Sequence, residues 1–360
     1  MQKRIFITFA LIVGLLGSTD DAATQSRLHR EVLDSTQQIV YTIGSKELCL
    51  VDGQGNKPEK LLEIEDGIFS PTWSPEVTNI AFFKLFDRKQ QKAQLVIYDM
   101  AKREYQESSI LEFSATSPTW SPQGTKIAFF KFFDQKQQKA QLVIYDPAKR
   151  EYQESSAFDF YAIKSGYQEG EVVIIPPHWS PDGKYLFVTD SKGIHRVDLA
   201  GEAVRLVQKE NLREVAFSSD GLQIAYTDRK TLYLANADGK DEFIIAEKSP
   251  SFNRVCKNDT RKLAYSPDGT QLAIGEKDHY KLFSLSTVGA DLVKLYAYDY
   301  MDVRGACPHL SVDGRYVAFI SKPTRSDEKV FVAATDGSGW IQLIKKGRCA
   351  SPSWRPHAAQ

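Results

Sequence analysis

The chain is poor in the features that usually announce chemistry. Its 360 residues carry 46 Lys and Arg against 46 Asp and Glu, so the formal net charge is zero. A nucleic-acid-binding surface normally shows as a basic stripe, and the balance argues against that class. There is no Gly-x-Ser-x-Gly elbow, which removes the usual serine-hydrolase arrangement. There is also no glycine-rich phosphate loop, no pair of cysteines at metal spacing and no Asp-x-Asp-x-Asp-Gly calcium loop. No catalytic constellation and no cofactor are implied. The N-terminal apolar run from Ile5 to Leu16 is short of the roughly 20 residues a spanning helix needs. With Lys3 and Arg4 before it, the run has the form of an export signal over residues 1–23. The expected product is periplasmic or extracellular, with no integral span after signal removal, or tethered if the signal is retained. Residues 24–36 read as a linker.

What is present is repetition. Ser70-Pro-Thr-Trp73-Ser-Pro75 opens a forty-residue stretch that returns at Ser117, 47 residues later, with six substitutions. Val77 against Gly124, Leu85 against Phe132 and Met100 against Pro147 are among them. A self-match at this period is the mark of a repeat architecture. Each copy holds four short β-branched and aromatic runs, which is the content of one propeller blade. The opening anchor recurs as Trp73, Trp120, Trp179, Phe217, Tyr265, Leu310 and Trp354, mostly followed by a Ser-Pro-Asp-Gly type turn.

The first and last units are partial. The runs at Gln38, Glu47 and Glu59 have no anchor before them, and Trp354 has almost no chain after it. The expectation is a closed all-β propeller of four-stranded blades over 37–356, followed by a tail at 357–360. It has seven blades, with six as the alternative, and the C-terminal strand completes the first blade. Such closure removes exposed sheet edges. The Trp-Ser-Pro-Asp-Gly series resembles the TolB-like propellers over nearly the whole chain. It departs from TolB itself, which pairs six blades with a separate N-terminal α/β domain. The resemblance implies fold more than function.

Up-and-down blades divide the connections between two faces. Turns between first and second strands, and between third and fourth, lie on one face, here the turn face. Second-to-third loops and the crossings to the next blade lie on the other, here the crossing face. The insertions at 157–177, 248–261 and 296–308 are all crossings, and the long segments 84–92 and 131–139 are second-to-third loops. Extra length therefore gathers on the crossing face, and loops on a rigid scaffold are where binding usually sits. The expected contact residues are Lys84, Phe86, Arg88, Lys89, Lys131, Phe133, Lys136, Tyr161, Tyr167, Tyr298 and Tyr300. The bland reading of the paired loops is long hairpins with solvated Lys and Gln outside and Phe tucked inside.

His178 and His309 stand one residue before their anchors and are the weak candidates for a metal at the axis. They fall three blades apart, which makes a short His–metal–His bridge geometrically poor. Cys256 and Cys307 lie in crossings of consecutive blades and are the expected disulfide, with Cys307–Cys349 as alternative and Cys49 as a buried hydrophobe. The reading is an exported, monomeric, non-enzymatic scaffold for a protein or peptide partner, with no nucleic acid. The alternative is a metal-dependent lyase or lactonase acting at the central channel.

Overall fold

The structure is a computed structural model. It describes residues 36–87, 92–109, 111–112, 114–134, 139–159, 162–165, 168–172, 175–210, 212, 214–228, 231–246, 263–266, 268–275, 282–286, 292–296, 308–324, 327–336, 338–345 and 347–356. Among these residues there are strands and turns but no helix, and seven sheets each contain a four-stranded antiparallel path. Blade 1 combines Gln38–Ile43, Glu47–Asp52 and Glu59–Glu63 with the C-terminal strand Cys349–Trp354. Its closing pairs are Ile39 with Trp354 and Ile43 with Cys349. The expected completion of the first blade by the last strand is therefore seen directly.

Blades 2 to 7 follow in chain order. Their innermost strands are Gly67–Trp73, Thr119–Trp120, His178–Trp179, Glu214–Phe217, Leu263–Tyr265 and His309–Leu310. The innermost strands of blades 5, 6, 7, 1, 2, 3 and 4 touch in that succession around the axis. Blades 4 and 5 meet through a shared core of Phe187, Ile194, Phe217 and Ile224, which completes the circle.

The core is distributed between blades. Ile80, Phe82 and Tyr98 of blade 2 pack on Val40, Leu48 and Leu50 of blade 1. The opposite face of blade 2, with Ala81, Phe83 and Leu95, packs on Ile127, Phe129 and Val143 of blade 3. A strand sends successive side chains to opposite faces, so one β-branched and aromatic run serves two interfaces. This is why these strands are apolar throughout.

The repeated turn has a mechanism. Buried Ser121, Ser180, Ser218, Ser266 and Ser311 each accept, through Oγ, a hydrogen bond from the backbone N–H five residues on, at 2.8–3.1 Å. Where Asp is present, the serine hydroxyl donates to it, as in Ser180 to Asp182 at 2.7 Å. The following glycine takes a left-handed φ, +69° at Gly183 and +67° at Gly314. Its bare Cα also lets neighbouring turns interlock. A Cβ on Gly221 would lie 2.6 Å from the Pro181 ring of the preceding blade. Blade 2 breaks the rule, placing Val77 at φ +64° where the others have glycine.

Candidate functional site

The crossing face carries the extra structure. The second and third strands of blade 2 are Asn79–Asp87 and Lys92–Asp99, and those of blade 3 are Ile127–Asp134 and Lys139–Asp146. In blade 7 they are Tyr316–Thr324 and Asp327–Ala334. These strands run to eight or nine residues, against five or six for the corresponding strands of blades 4, 5 and 6. Pairing persists to Asp87 with Lys92, Asp134 with Lys139 and Thr324 with Asp327, after a register shift in each. Three hairpins thus project from the crossing face, flanking blade 1 on both sides. A further hairpin, Ala162–Ser165 with Gln168–Val172, stands in the crossing between blades 3 and 4.

Lys84 and Lys131 sit at the roots of the twin hairpins. Lys84 Nζ lies 2.9 Å from Glu107 Oε1 and 3.7 Å from Asp66 Oδ2. Lys131 Nζ lies 2.6 Å from Glu154 Oε1, the same bond one repeat later. Burial pulls the Lys84 ammonium down, but the hydrogen bond and charge of Glu107 outweigh it and leave it above its ordinary value. Both lysines are therefore tied to the fourth strands of their own blades. Phe86 and Phe133 lie on described strands, but their side chains are outside the described residues. So are Arg88, Lys89, Lys136, Tyr161, Tyr167, Tyr298 and Tyr300, together with Cys256 and Cys307. Cys49 and Cys349 are buried in the core shared by blades 7 and 1, and burial pushes the Cys49 thiol up to about 12.

The two histidines take different surroundings. The His178 ring is exposed and stacks on Phe217, centroids 5.2 Å apart. His309 lines a pocket on the axis with Ser70, Thr72, Ser117, Ser351 and Ser353, and His178 is not among its walls. Among the described residues no three His, Cys, Asp or Glu side chains converge as a metal site would need. Sequence reasoning missed a buried pair at the crossing-face end of blade 4. There His195 Nε2 lies 2.8 Å from Asp190 Oδ1, beside a backbone bond from Lys192 to Asp190 at 2.7 Å. Only the shortness of the turn from Asp190 to Gly193, which sets these side chains side by side, could have suggested it.

The axial pocket is shallow, with room of about 30 Å3, enough for a water or two. Its walls come from blades 7, 1, 2 and 3. Pro71, Pro118, Pro308 and Pro352 supply ring faces between the hydroxyls. The inner strands of blades 1 and 2 break register here, between Ala350 and Ser353 and between Phe69 and Thr72. Ser351 and Ser70 take left-handed φ values of +50° and +52° at those breaks.

A closed propeller whose blades meet at Trp-Ser-Pro strands around a polar channel defines the class of protein. The profile of the TolB beta propeller domain matches residues 34–230, more than half of the chain, and the chain belongs to that family. Among solved structures it is similar to TolB from Acinetobacter baumannii at 18% identity and TM-score 0.55, over 90% of this chain and 67% of that one. A proposed 6-phosphogluconolactonase from Bacteroides fragilis is similar at 16% identity and TM-score 0.61, over 89% and 98%. An oligogalacturonate lyase in complex with manganese is similar at 13% identity and TM-score 0.58, over 85% and 83%. These likenesses show the fold. No curated protein sequence matches the chain. Among the described residues no helix is long and apolar enough to cross a membrane.

Proposed function

We propose that this chain is an exported, non-enzymatic propeller that holds a protein or peptide partner on its crossing face. The observation that carries the reading is the one-sided elaboration of the ring. The hairpins of blades 7, 2 and 3, and the extra hairpin between blades 3 and 4, all rise from that face. The turn face is levelled by short interlocked turns with bonds such as Gln123 Nε2 to Asp182 O at 3.1 Å. A rigid ring with projecting hairpins presents backbone and side chains to a partner at little ordering cost. Lys84 and Lys131, fixed by Glu107 and Glu154, stiffen the hairpin roots.

The test is affinity capture from an envelope extract on two baits. One is the unaltered protein and the other has segments 84–92 and 131–139 shortened to two-residue turns, with matched thermal melts. A partner held by the first and lost by the second supports the reading. Equal retention on both places the contact away from the twin hairpins. If both capture nothing, the scaffold reading fails.

A further inference from the structure

The crossing face has a low point between two high ones. Opposite the anchors Trp354, Trp73 and Leu310 stand Ile39, Ile80 and Val317, which fix a common level in blades 1, 2 and 7. The second strand of blade 1 stays paired for four residues past that level, to Ile43. Those of blades 2 and 7 stay paired for seven, to Asp87 and Thr324. The flanking hairpins therefore rise three residues above blade 1, which is about 10 Å of strand. Packed sheets lie about 10 Å apart, so the gap left over blade 1 is one sheet thick. We propose that this slot takes an acidic segment of the protein partner, bound in extended form. The inference rests on the crossing-face reading above and adds the place and the chemistry of the contact.

The floor of the slot is built by backbone bonds. The turn from Ile43 to Glu47 has Gly44 and Ser45 both at φ +59°, which reverses the chain within three residues. The Gly44 amide donates to the Arg348 carbonyl at 2.9 Å. The amides of Ile64 and Ile68 donate to the carbonyls of Lys46 and Ser45 at 2.9 and 2.6 Å. These bonds hold the incoming crossing 343–348 and the outgoing crossing 64–68 down at the level of the turn. Gly44, Lys46, Lys345, Gly347 and Arg348 are exposed along it.

Charge selects the occupant. The segments 44–46, 64–68, 84–92, 321–329 and 343–348, which make up or connect these elements, hold in all eleven Lys and Arg against five Asp and Glu. The chain as a whole is neutral, so this surplus of six is local. Two of the acids are already engaged. Asp66 lies 3.7 Å from Lys84 Nζ, and Glu328 Oε2 lies 2.8 Å from Arg348 Nε. The buried Lys329 ammonium donates to the Gly347 carbonyl. Lys46 and Lys345 stand exposed outside these bonds. An extended segment sends alternate side chains to one side, so alternating carboxylates would face this floor. A basic segment would meet the same surplus as repulsion.

The test uses the whole protein and a short labelled peptide of alternating Glu and Thr, read by fluorescence anisotropy, beside Lys–Thr and Gln–Thr peptides. Two double variants reverse the same number of charges. K46E/K345E lies on the slot floor, and K102E/K149E lies on exposed turns of the opposite face. The Glu–Thr peptide alone is expected to bind, and more weakly as salt rises. Its affinity should fall about tenfold in K46E/K345E and less than about twofold in K102E/K149E. If K46E/K345E fails to fold by thermal melt, K46A/K345A takes its place, with a loss of about threefold expected. No binding of the Glu–Thr peptide, equal binding of the Gln–Thr peptide, or equal losses in the two double variants overturns the proposal. Envelope capture on K46E/K345E separates this inference from the reading it rests on. A partner kept by K46E/K345E but lost on the shortened hairpins removes the slot and leaves the crossing-face scaffold standing.

Discussion

Blades 2 and 3 share almost every residue with one another, yet the larger contrast lies between the arc of blades 7, 1, 2 and 3 and the arc of blades 4, 5 and 6. In the first arc, long hairpins rise on the crossing face and Ser-Pro or Pro-His segments line the axis. In blades 5 and 6 the inner strands Glu214–Phe217 and Leu263–Tyr265 pair with their neighbours without a register shift. Those strands have no proline, so their N–H groups stay available and regular pairing continues. The same four-stranded unit therefore yields a regular wall on one side of the ring and an irregular, hydroxyl-lined wall on the other.

The largest test of this contrast is to cut the chain after Gly347. That removes Cys349–Trp354, the innermost strand of blade 1, and opens the ring in the irregular arc. The expected outcome is loss of a cooperative thermal transition by circular dichroism. The loss of a strand with four of its six residues buried rivals a whole domain's stability of about 5–15 kcal/mol. Next in size, Phe129→Ala at the twin interface removes a fully buried ring that meets Phe83 edge-on at 5.1 Å. A cost of about 3–5 kcal/mol by urea denaturation is expected.

Gly124→Val asks whether the twins are interchangeable, since it installs the Val77 of blade 2 at φ +65°. A destabilisation of about 1–3 kcal/mol is expected, because Val77 has its own buried packing to offset the strain. Ser70→Gly works in the opposite direction. Relief of a left-handed serine outweighs glycine's entropy and should raise stability by about 1 kcal/mol. The same change at Ser353, which pairs regularly with Val40, should lower it by about 0.5–1 kcal/mol.

The smallest effect concerns acid. The Ser218 hydroxyl and the Leu222 amide hold the Asp220 carboxyl below its usual range, and Ser180 and the Lys184 amide do the same for Asp182. Their folded values lie below their unfolded ones. The stabilisation is therefore present above the unfolded value and is lost as pH falls through the folded one. The twin blades have Glu76 and Gln123 in place of this Asp. Asp220→Asn should flatten the acid limb of a stability–pH curve, and Gln123→Asp should steepen it.

Much of the fold was legible in the residues. The Trp-Ser-Pro-Asp-Gly series specifies its own turn through side-chain bonds within six residues, so the motif announced itself wherever it stood. The unpaired first unit and the orphan Trp354 pointed to each other across the whole chain. The candidate site was legible only in part. Lys84 and Lys131 stood out as basic residues, but their attachment to Glu107 and Glu154 depends on which strands become neighbours. For Asp190 with His195 the only signal was the short turn from Asp190 to Gly193. Val77 looked like an ordinary substitution, and its left-handed backbone follows from the turn it inherits.

The sequence alone determined the unit, its repetition and the face on which length accumulates, because these rest on local periodicity and turn chemistry. Only the tertiary structure decided that serines and prolines 281 positions apart, Ser70 and Ser351, share one wall. Ring closure brings the last strand beside the second blade, and no local signal encodes a neighbour that exists only once the circle is complete.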